Sequence, residues 1–299
     1  MKAHLHMLFT KRIFHYGYIN TDTFIFTQEE MIELLHILKR LTSYLEDRKT
    51  PQRPIYTIMA STWSPFYDEI SASSVTEAFR TVLMPDLFIS KVHLSDKDSI
   101  FDDCRILPAN ILKQPPNIKG KNIYFFNLFT ALKHASDLDK LRNEGVKTAA
   151  LSVSVGLYGR WYYVGTEAQM ALQNYAAGDP CYHEKMDHQC ASIAKVCKDP
   201  KYGDVHKSET WNCSYVVDKK KFKTFVYDTP ETLQYKLCLS RKNATTLKYG
   251  LTAVGLEFSD AANHCGMGKF PMLTTVKKTL EFFVEKYKSP DAYKDCLSA

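Results

Sequence analysis

Along the chain, apolar residues recur at helical spacing in some stretches and cluster in short unbroken runs in others. After Thr27-Gln-Glu-Glu30, a capping-box pattern, Met31, Leu34, Leu35, Leu38, Leu41 and Leu45 fall on one helical stripe. The spacing predicts an amphipathic helix. On either side, Ile13 to Thr21 is rich in Ile, Phe and Tyr, and Ile55-Tyr-Thr-Ile-Met-Ala60 is short, apolar and bounded by Pro54 and Ser61. Both read as strands. Asp86 to Leu94 is another such run, and Phe129 to Arg142 reads as a helix stopped near Gly145. Thr148 to Gly156 and Leu251 to Phe258 are later strands. Between them Thr229-Pro230 announces a helix, a capping residue followed by proline at the first helical position. Leu273, Val276, Leu280, Phe283 and Tyr287 mark the last helix. Strands alternating with helices predict parallel βα units, arranged as a doubly wound sheet or as a (β/α)8 barrel. Periodicity does not separate the two.

Composition narrows the class. The 299 residues are 45% hydrophobic and 24% charged, which excludes a disordered or collagen-like chain. The net charge of +6 is spread out apart from Lys219-Lys220-Lys221-Phe222-Lys223, read as a solvated turn or strand edge, so no nucleic-acid partner is expected. No apolar run approaches the roughly 18 residues of a membrane span. The first residues are interrupted by His, Lys and Arg before an export signal could form. The eight cysteines point elsewhere, with five of them between 181 and 238. They suit disulfides closing an extracellular insertion, and the sequons Asn212-Cys-Ser and Asn243-Ala-Thr mark two glycosylation sites. The expectation is a secreted, disulfide-bonded glycoprotein whose export signal lies outside this chain.

Several chemistries are excluded by their missing signatures. No Gly-x-Gly-x-x-Gly or Gly-x-x-x-x-Gly-Lys loop follows a strand, and no Gly-x-Ser-x-Gly elbow occurs. Cys181, His183, His188 and Cys190 have a zinc-like composition without a finger's spacing, and the cysteines are better explained as disulfides. No metal and no cofactor are expected. His93, on an apolar strand, reads as a satisfied core residue.

The C-terminal half carries a sharper signal. Leu157-Tyr158-Gly159-Arg160 ends a strand, and Tyr227-Asp228-Thr-Pro230-Glu231 opens a helix. Tyr249-Gly250-Leu-Thr-Ala-Val-Gly-Leu256-Glu257-Phe-Ser-Asp260, Cys265-Gly266 and Lys269-Phe270-Pro271-Met272-Leu273 follow. In order and spacing this series resembles the glycoside hydrolase family 18 chitinases and chitinase-like proteins. The resemblance implies an α/β fold, an incomplete (β/α)8 TIM-type barrel holding about strands four to eight, with an α+β insertion subdomain. It divides the chain into partial barrel 1–160, Cys-rich insertion 161–226 and end of barrel 227–299. The first three strands would be absent from this chain. The resemblance also implies a Cys197–Cys265 disulfide.

The family's catalytic motif is Asp-x-x-Asp-x-Asp-x-Glu on the fourth strand, where alternate residues face the barrel interior. Its Glu protonates the glycosidic oxygen while the preceding Asp holds the substrate's N-acetyl group. The four positions match His15, Tyr18, Asn20 and Asp22, of which only Asp22 is acidic. Its carboxyl would stop about 1.5 Å short of a Glu's, and a misplacement near 1 Å can cost about 100-fold. Asn20 can hydrogen-bond an acetamido group but brings no negative charge. The family's Met-x-Tyr-Asp on the sixth strand matches Val92-His93-Leu94-Ser95, and its sugar-floor Trp on the eighth matches Val254.

The resemblance therefore implies a chitinase-like protein with a degenerate, inactive site that binds chitin or N-acetylglucosamine-containing glycans. Its sugar contacts would be Asn20, Tyr158, Arg160 and Trp161. One alternative is an active family 18 hydrolase using Asp22 as its acid. Another is a secreted protein-interaction factor on a barrel scaffold.

Overall fold

The computed structural model describes residues 19–20, 28–46, 56–61, 72–95, 104–113, 127–140, 150–164, 175–182 and 190–298. They fall into two compact units, one drawn from residues 1–90 and 134–152, the other from 91–133 and 153–299.

In the first unit, β1 (Ile19–Asn20), β2 (Ile58–Ser61) and β3 (Leu87–Ser90) are parallel, with Asn20 opposite Ala60 and Met59 opposite Phe88. The start of β4 (Ala150–Gly156) lies on the far side of β3, where the Ala150 N–H donates to the Asp86 carbonyl at 2.8 Å. Helix α1 (Gln28–Glu46) carries the predicted stripe and buries Leu35, Leu38 and Leu45. Each buried leucine contributes about 2 kcal/mol. The capping position Thr27 lies outside the described residues. Helix α2 (Ala72–Thr81) packs Phe79 edge-on against Phe88 of β3, with ring centroids 5.6 Å apart. Asp86 fixes the approach to β3, since one carboxylate oxygen accepts the Thr57 N–H at 2.7 Å.

The second unit holds the end of β4, next to β10 (Gly250–Val254), together with an antiparallel sheet. That sheet comprises β5 (Gly159–Tyr163), β6 (Cys190–Ala191), β7 (His206–Ser208), β8 (Cys213–Asp218) and β9 (Lys223–Tyr227). Among the described residues its order is β6-β5-β9-β8-β7. Gly159 lets β5 close on β9, because a Cβ there would sit 2.3 Å from the Phe225 ring. One face packs Phe225, Tyr227, Val216 and Ala191 under Ile193 and Val196. Lys219 to Lys221 form the exposed turn between β8 and β9, one of the two readings the sequence allows.

Helix α3 (Leu128–Asp139) starts at Asn127, whose side-chain oxygen accepts the Thr130 N–H. Helix α4 (Pro230–Lys242) begins with a full capping box between Thr229 and Thr232. Helix α5 (Pro271–Glu285) buries Met272, Val276, Phe282 and Phe283. Disulfides join Cys104 to Cys181, Cys197 to Cys265 and Cys238 to Cys296. They close loops separated by 77, 68 and 58 residues.

Two strands are shorter than predicted. β3 ends at Ser90, after which a side chain and a separate bridge take over from the strand ladder. The Val92 N–H donates to the Ser154 hydroxyl oxygen, and His93 pairs antiparallel with Asn110. β10 ends at Val254 because Gly255 is left-handed, with φ +81°, and Leu256–Phe258 winds into a 3-10 turn. A Cβ at Gly255 would also meet the Tyr158 ring at 2.4 Å, so the turn has room only for glycine. Among the described residues no helix is long and apolar enough to cross a membrane.

Candidate functional site

The chemistry of the second unit gathers where the chain leaves β4. Ser154 is the first buried polar residue there. Its hydroxyl accepts from the Val92 N–H at 2.9 Å and lies 2.7 Å from His93 Nδ1. Burial, and then the charges of Lys91 and Arg160, lower the His93 pKa to about 3. The imidazole is therefore neutral at ordinary pH and shares a hydrogen bond with the Ser154 hydroxyl at Nδ1.

Gly156 is held by Asn110, whose amide nitrogen donates to the Gly156 carbonyl and whose oxygen accepts the Gly156 N–H, both at 2.8 Å. The same nitrogen donates to Asp228 Oδ2 at 3.0 Å. Asp228 Oδ1 in turn accepts from Lys236 Nζ at 2.5 Å, and both side chains are fully buried. Lys236 completes the network by donating to the Asn110 carbonyl at 2.6 Å. A carboxylate and an ammonium group thus face each other in the interior at the start of α4, each held by Asn110 as well.

Next along the chain, Tyr158 and Arg160 point back to the segment after β3. The Tyr158 hydroxyl donates to the Leu94 carbonyl at 2.9 Å, and its ring stands edge-on to His93 and Phe258. Arg160 is 1% exposed. Its Nη2 donates to the Ser95 carbonyl at 3.0 Å, and its Nη1 donates to the Tyr162 hydroxyl. Tyr162 passes its own hydrogen to the Leu107 carbonyl at 2.7 Å. Both predicted contact residues therefore spend polar groups on backbone carbonyls, and the fully buried Leu94 side chain offers no polar group.

Trp161 points to the opposite face of β5 and is only partly buried. Its ring lies 4.8 Å from Phe225 and 5.7 Å from Tyr202. Asn20 lies on β1 in the first unit. Asp22, His15 and Tyr18 lie outside the described residues, as do His183 and His188. Cys181 is bonded to Cys104, which removes its thiolate from any metal set, and Cys197 bonds Cys265, the pair implied by the resemblance. Asn243 is exposed at the end of α4, and Asn212 is half-buried with φ 46°.

At the other strand end Val254 is half-buried and Glu257 is exposed. Asp260 accepts the His264 and Cys265 N–H groups at 2.9 and 2.8 Å. Burial alone would raise its pKa, but these bonds outweigh it and lower it. Asp260 thus anchors the loop that carries the Cys197–Cys265 bridge.

Sequence reasoning missed Asn110, Ser154 and Lys236. A signal existed for one of them. Lys236 shares a helical face with Leu233, Leu237 and Ser240, all buried, and a lysine on that face needs a buried partner.

No protein-family profile and no curated protein matches the chain. Solved structures do. An Ostrinia furnacalis Group IV chitinase matches with a TM-score of 0.62 at 14% identity, over 94% of this chain and 72% of that one. Human YKL-39, described as a pseudo-chitinase with retained chitooligosaccharide binding, matches with a TM-score of 0.62 at 13% identity over the same shares. The immunomodulatory active chitinase TsES1 of Trichuris suis gives 0.61 at 14%, over 93% and 72%. At such identities the likeness is one of architecture: this chain has the α/β fold of the chitinases and their inactive relatives.

Proposed function

We propose that the protein is a chitinase-like protein without hydrolytic activity that binds chitin or N-acetylglucosamine-containing glycans. The observation that carries the reading is the pair Leu94 and Ser95. The family resemblance sets a Tyr and an Asp at these positions, and here the Tyr158 hydroxyl and Arg160 guanidinium occupy their backbone carbonyls. A buried leucine and a serine supply neither the phenol nor the carboxylate that stabilises an oxazolinium cation. The fold likeness to a pseudo-chitinase supports the binding half of the proposal.

In this reading Trp161 stacks on a sugar ring at the outward face of β5, while Tyr158 and Arg160 hold the backbone of Leu94 and Ser95 on the inward side. Asn20 contacts an acetamido group. The three segments 1–160, 161–226 and 227–299 act as partial barrel, insertion and barrel end. Three disulfides suit an oxidising compartment, so the protein works outside the cell, with glycans on Asn212 and Asn243. A hydrolase using Asp22 is the second reading, favoured by the fold likeness to active chitinases.

Calorimetric titration with chito-oligosaccharides, run beside an assay for new reducing ends, separates the readings. Binding without turnover, weakened by Trp161→Ala, is expected. Turnover abolished by Asp22→Ala would make the protein an enzyme. A folded sample showing neither binding nor turnover would leave a protein-interaction factor.

A further inference from the structure

Between Lys195 and Lys223 the chain carries eight lysines against four acidic residues, a surplus of +4 within a whole-chain charge of +6. This stretch forms β7, β8 and the first residue of β9 in the antiparallel sheet, with Val196, Cys197 and Tyr202 of the segment that covers one of its faces. Seven of the eight lysines are exposed and Lys223 is half-buried.

Aromatic rings hold two of these lysines in place. Lys201 Nζ lies 4.4 Å from the centre of the Tyr202 ring, and Lys223 Nζ lies 4.1 Å from that of Tyr163. Between them stands Trp161, 5.7 Å from Tyr202. Trp161 and Tyr163 are two residues apart on β5 and so share a face, roughly 7 Å apart along the strand. A strip therefore runs Lys201, Tyr202, Trp161, Tyr163, Lys223, aromatic in the middle and cationic at both ends. All three rings are partly exposed.

Aromatic faces in such a strip suit the apolar faces of pyranose rings. A neutral chitin chain would leave the lysines idle, whereas a polymer with acidic groups would meet an ammonium at each end of the rings. The remaining surface lysines would draw it in over a Debye length of about 8 Å at physiological salt. Asp199 lies 3.3 Å from Lys201, but an exposed ion pair of this kind is weak enough for a polyanion to displace. We propose that this strip binds an acidic polysaccharide, one bearing sulfate or uronate groups on its sugars. The inference shares Trp161 with the chitin reading and departs from it in the charge of the ligand.

The test titrates the whole protein with a heparin-derived sulfated hexasaccharide, a hyaluronan hexasaccharide, chitohexaose and a single-stranded oligonucleotide of similar charge. At least one acidic hexasaccharide is expected to bind, more weakly as salt rises. Lys201→Ala/Lys223→Ala is expected to weaken that binding at least tenfold and to leave chitohexaose unchanged, while arginine at both positions restores it. Trp161→Ala is expected to weaken it by a similar factor, with circular dichroism confirming a folded variant. Absence of binding to both acidic sugars overturns the proposal. So does binding that survives Lys201→Ala/Lys223→Ala but fails in Lys219→Ala/Lys220→Ala/Lys221→Ala, which would mean diffuse charge alone. Equal affinity for the oligonucleotide overturns it too. Chitohexaose binding without acidic-sugar binding sinks this inference and spares the chitin reading, and the reverse result does the opposite.

Discussion

The side chain of Asn110 pairs with the backbone of Gly156 as a neighbouring strand would, giving one hydrogen bond to the carbonyl and taking one from the N–H, both at 2.8 Å. Forty-six residues separate the two in sequence. The pairing lets β4 end in the interior without orphaned backbone groups, which is what allows Tyr158 to reach the Leu94 carbonyl two residues later.

Asn110→Ala should therefore be among the costlier single substitutions in the second unit. It strands both Gly156 groups and removes a partner of Asp228, and each buried unsatisfied group costs about 1–3 kcal/mol. A loss of roughly 3–5 kcal/mol in urea unfolding is expected on that basis. A loss below about 1 kcal/mol would mean that water or a shifted side chain replaces the amide.

The Lys236–Asp228 pair gives a second prediction, with its own internal control. Lys236→Met leaves the Asp228 carboxylate buried without its cation, at a cost of about 3–5 kcal/mol. Adding Asp228→Asn removes the stranded charge, so the double variant should recover part of that loss. Additive losses in the double-mutant cycle would show that the two groups do not depend on each other.

His93 predicts a slope of stability with pH. Its folded pKa is lowered to about 3 from an ordinary 6.5, by burial first and then by Lys91 and Arg160. Between those values the unfolded chain binds a proton that the folded chain refuses, so stability falls as pH drops from 6.5 towards 3. The expected contribution is about 1.4 kcal/mol per pH unit. His93→Gln, whose amide can still hydrogen-bond Ser154, should flatten the curve between pH 6 and pH 4. Parallel curves for the two proteins would show that His93 does not titrate in the unfolded chain alone.

Cys213 should be inert until the protein unfolds. It is 1% exposed, and burial pushes its thiol pKa up to about 12 against the smaller opposing effect of Lys236. Thiolates, not thiols, react with iodoacetamide. Mass spectrometry after native alkylation should find Cys213 unmodified, and alkylation in guanidinium should modify it fully. Native modification within minutes would place the thiol at the surface.

Much of the architecture is legible in the sequence because it rests on local regularities. The leucine stripe from Leu34 to Leu45 places α1, and the Thr229-Pro230 signal starts α4 at its observed residue. Strand ends are harder to read, since an apolar run does not show where its hydrogen bonds go. Asp86 to Leu94 reads as one strand, yet its last residues turn to meet Ser154 and Asn110, 62 and 17 residues further on. The candidate site divides the same way. Tyr158, Arg160 and Trp161 stand out by composition and motif, but only the fold shows that Arg160 faces inward and Trp161 outward on the same strand.

Taken by itself, the chain determines where helices and strands lie, that strands alternate with helices, and where charge concentrates, because side-chain period and capping act over a few residues. The tertiary structure decides which polar groups become partners. Asn110 finds Asp228 across 118 residues and Lys236 finds Asn110 across 126. Eight cysteines allow about 105 full pairings, so spacing alone could not choose the three bridges that form. Such contacts depend on the path of the whole backbone, and desolvation makes each of them costly to leave unmade. The placement of Lys201 and Lys223 at the two ends of one aromatic strip is set at the same level, by the closing of the antiparallel sheet and its cover.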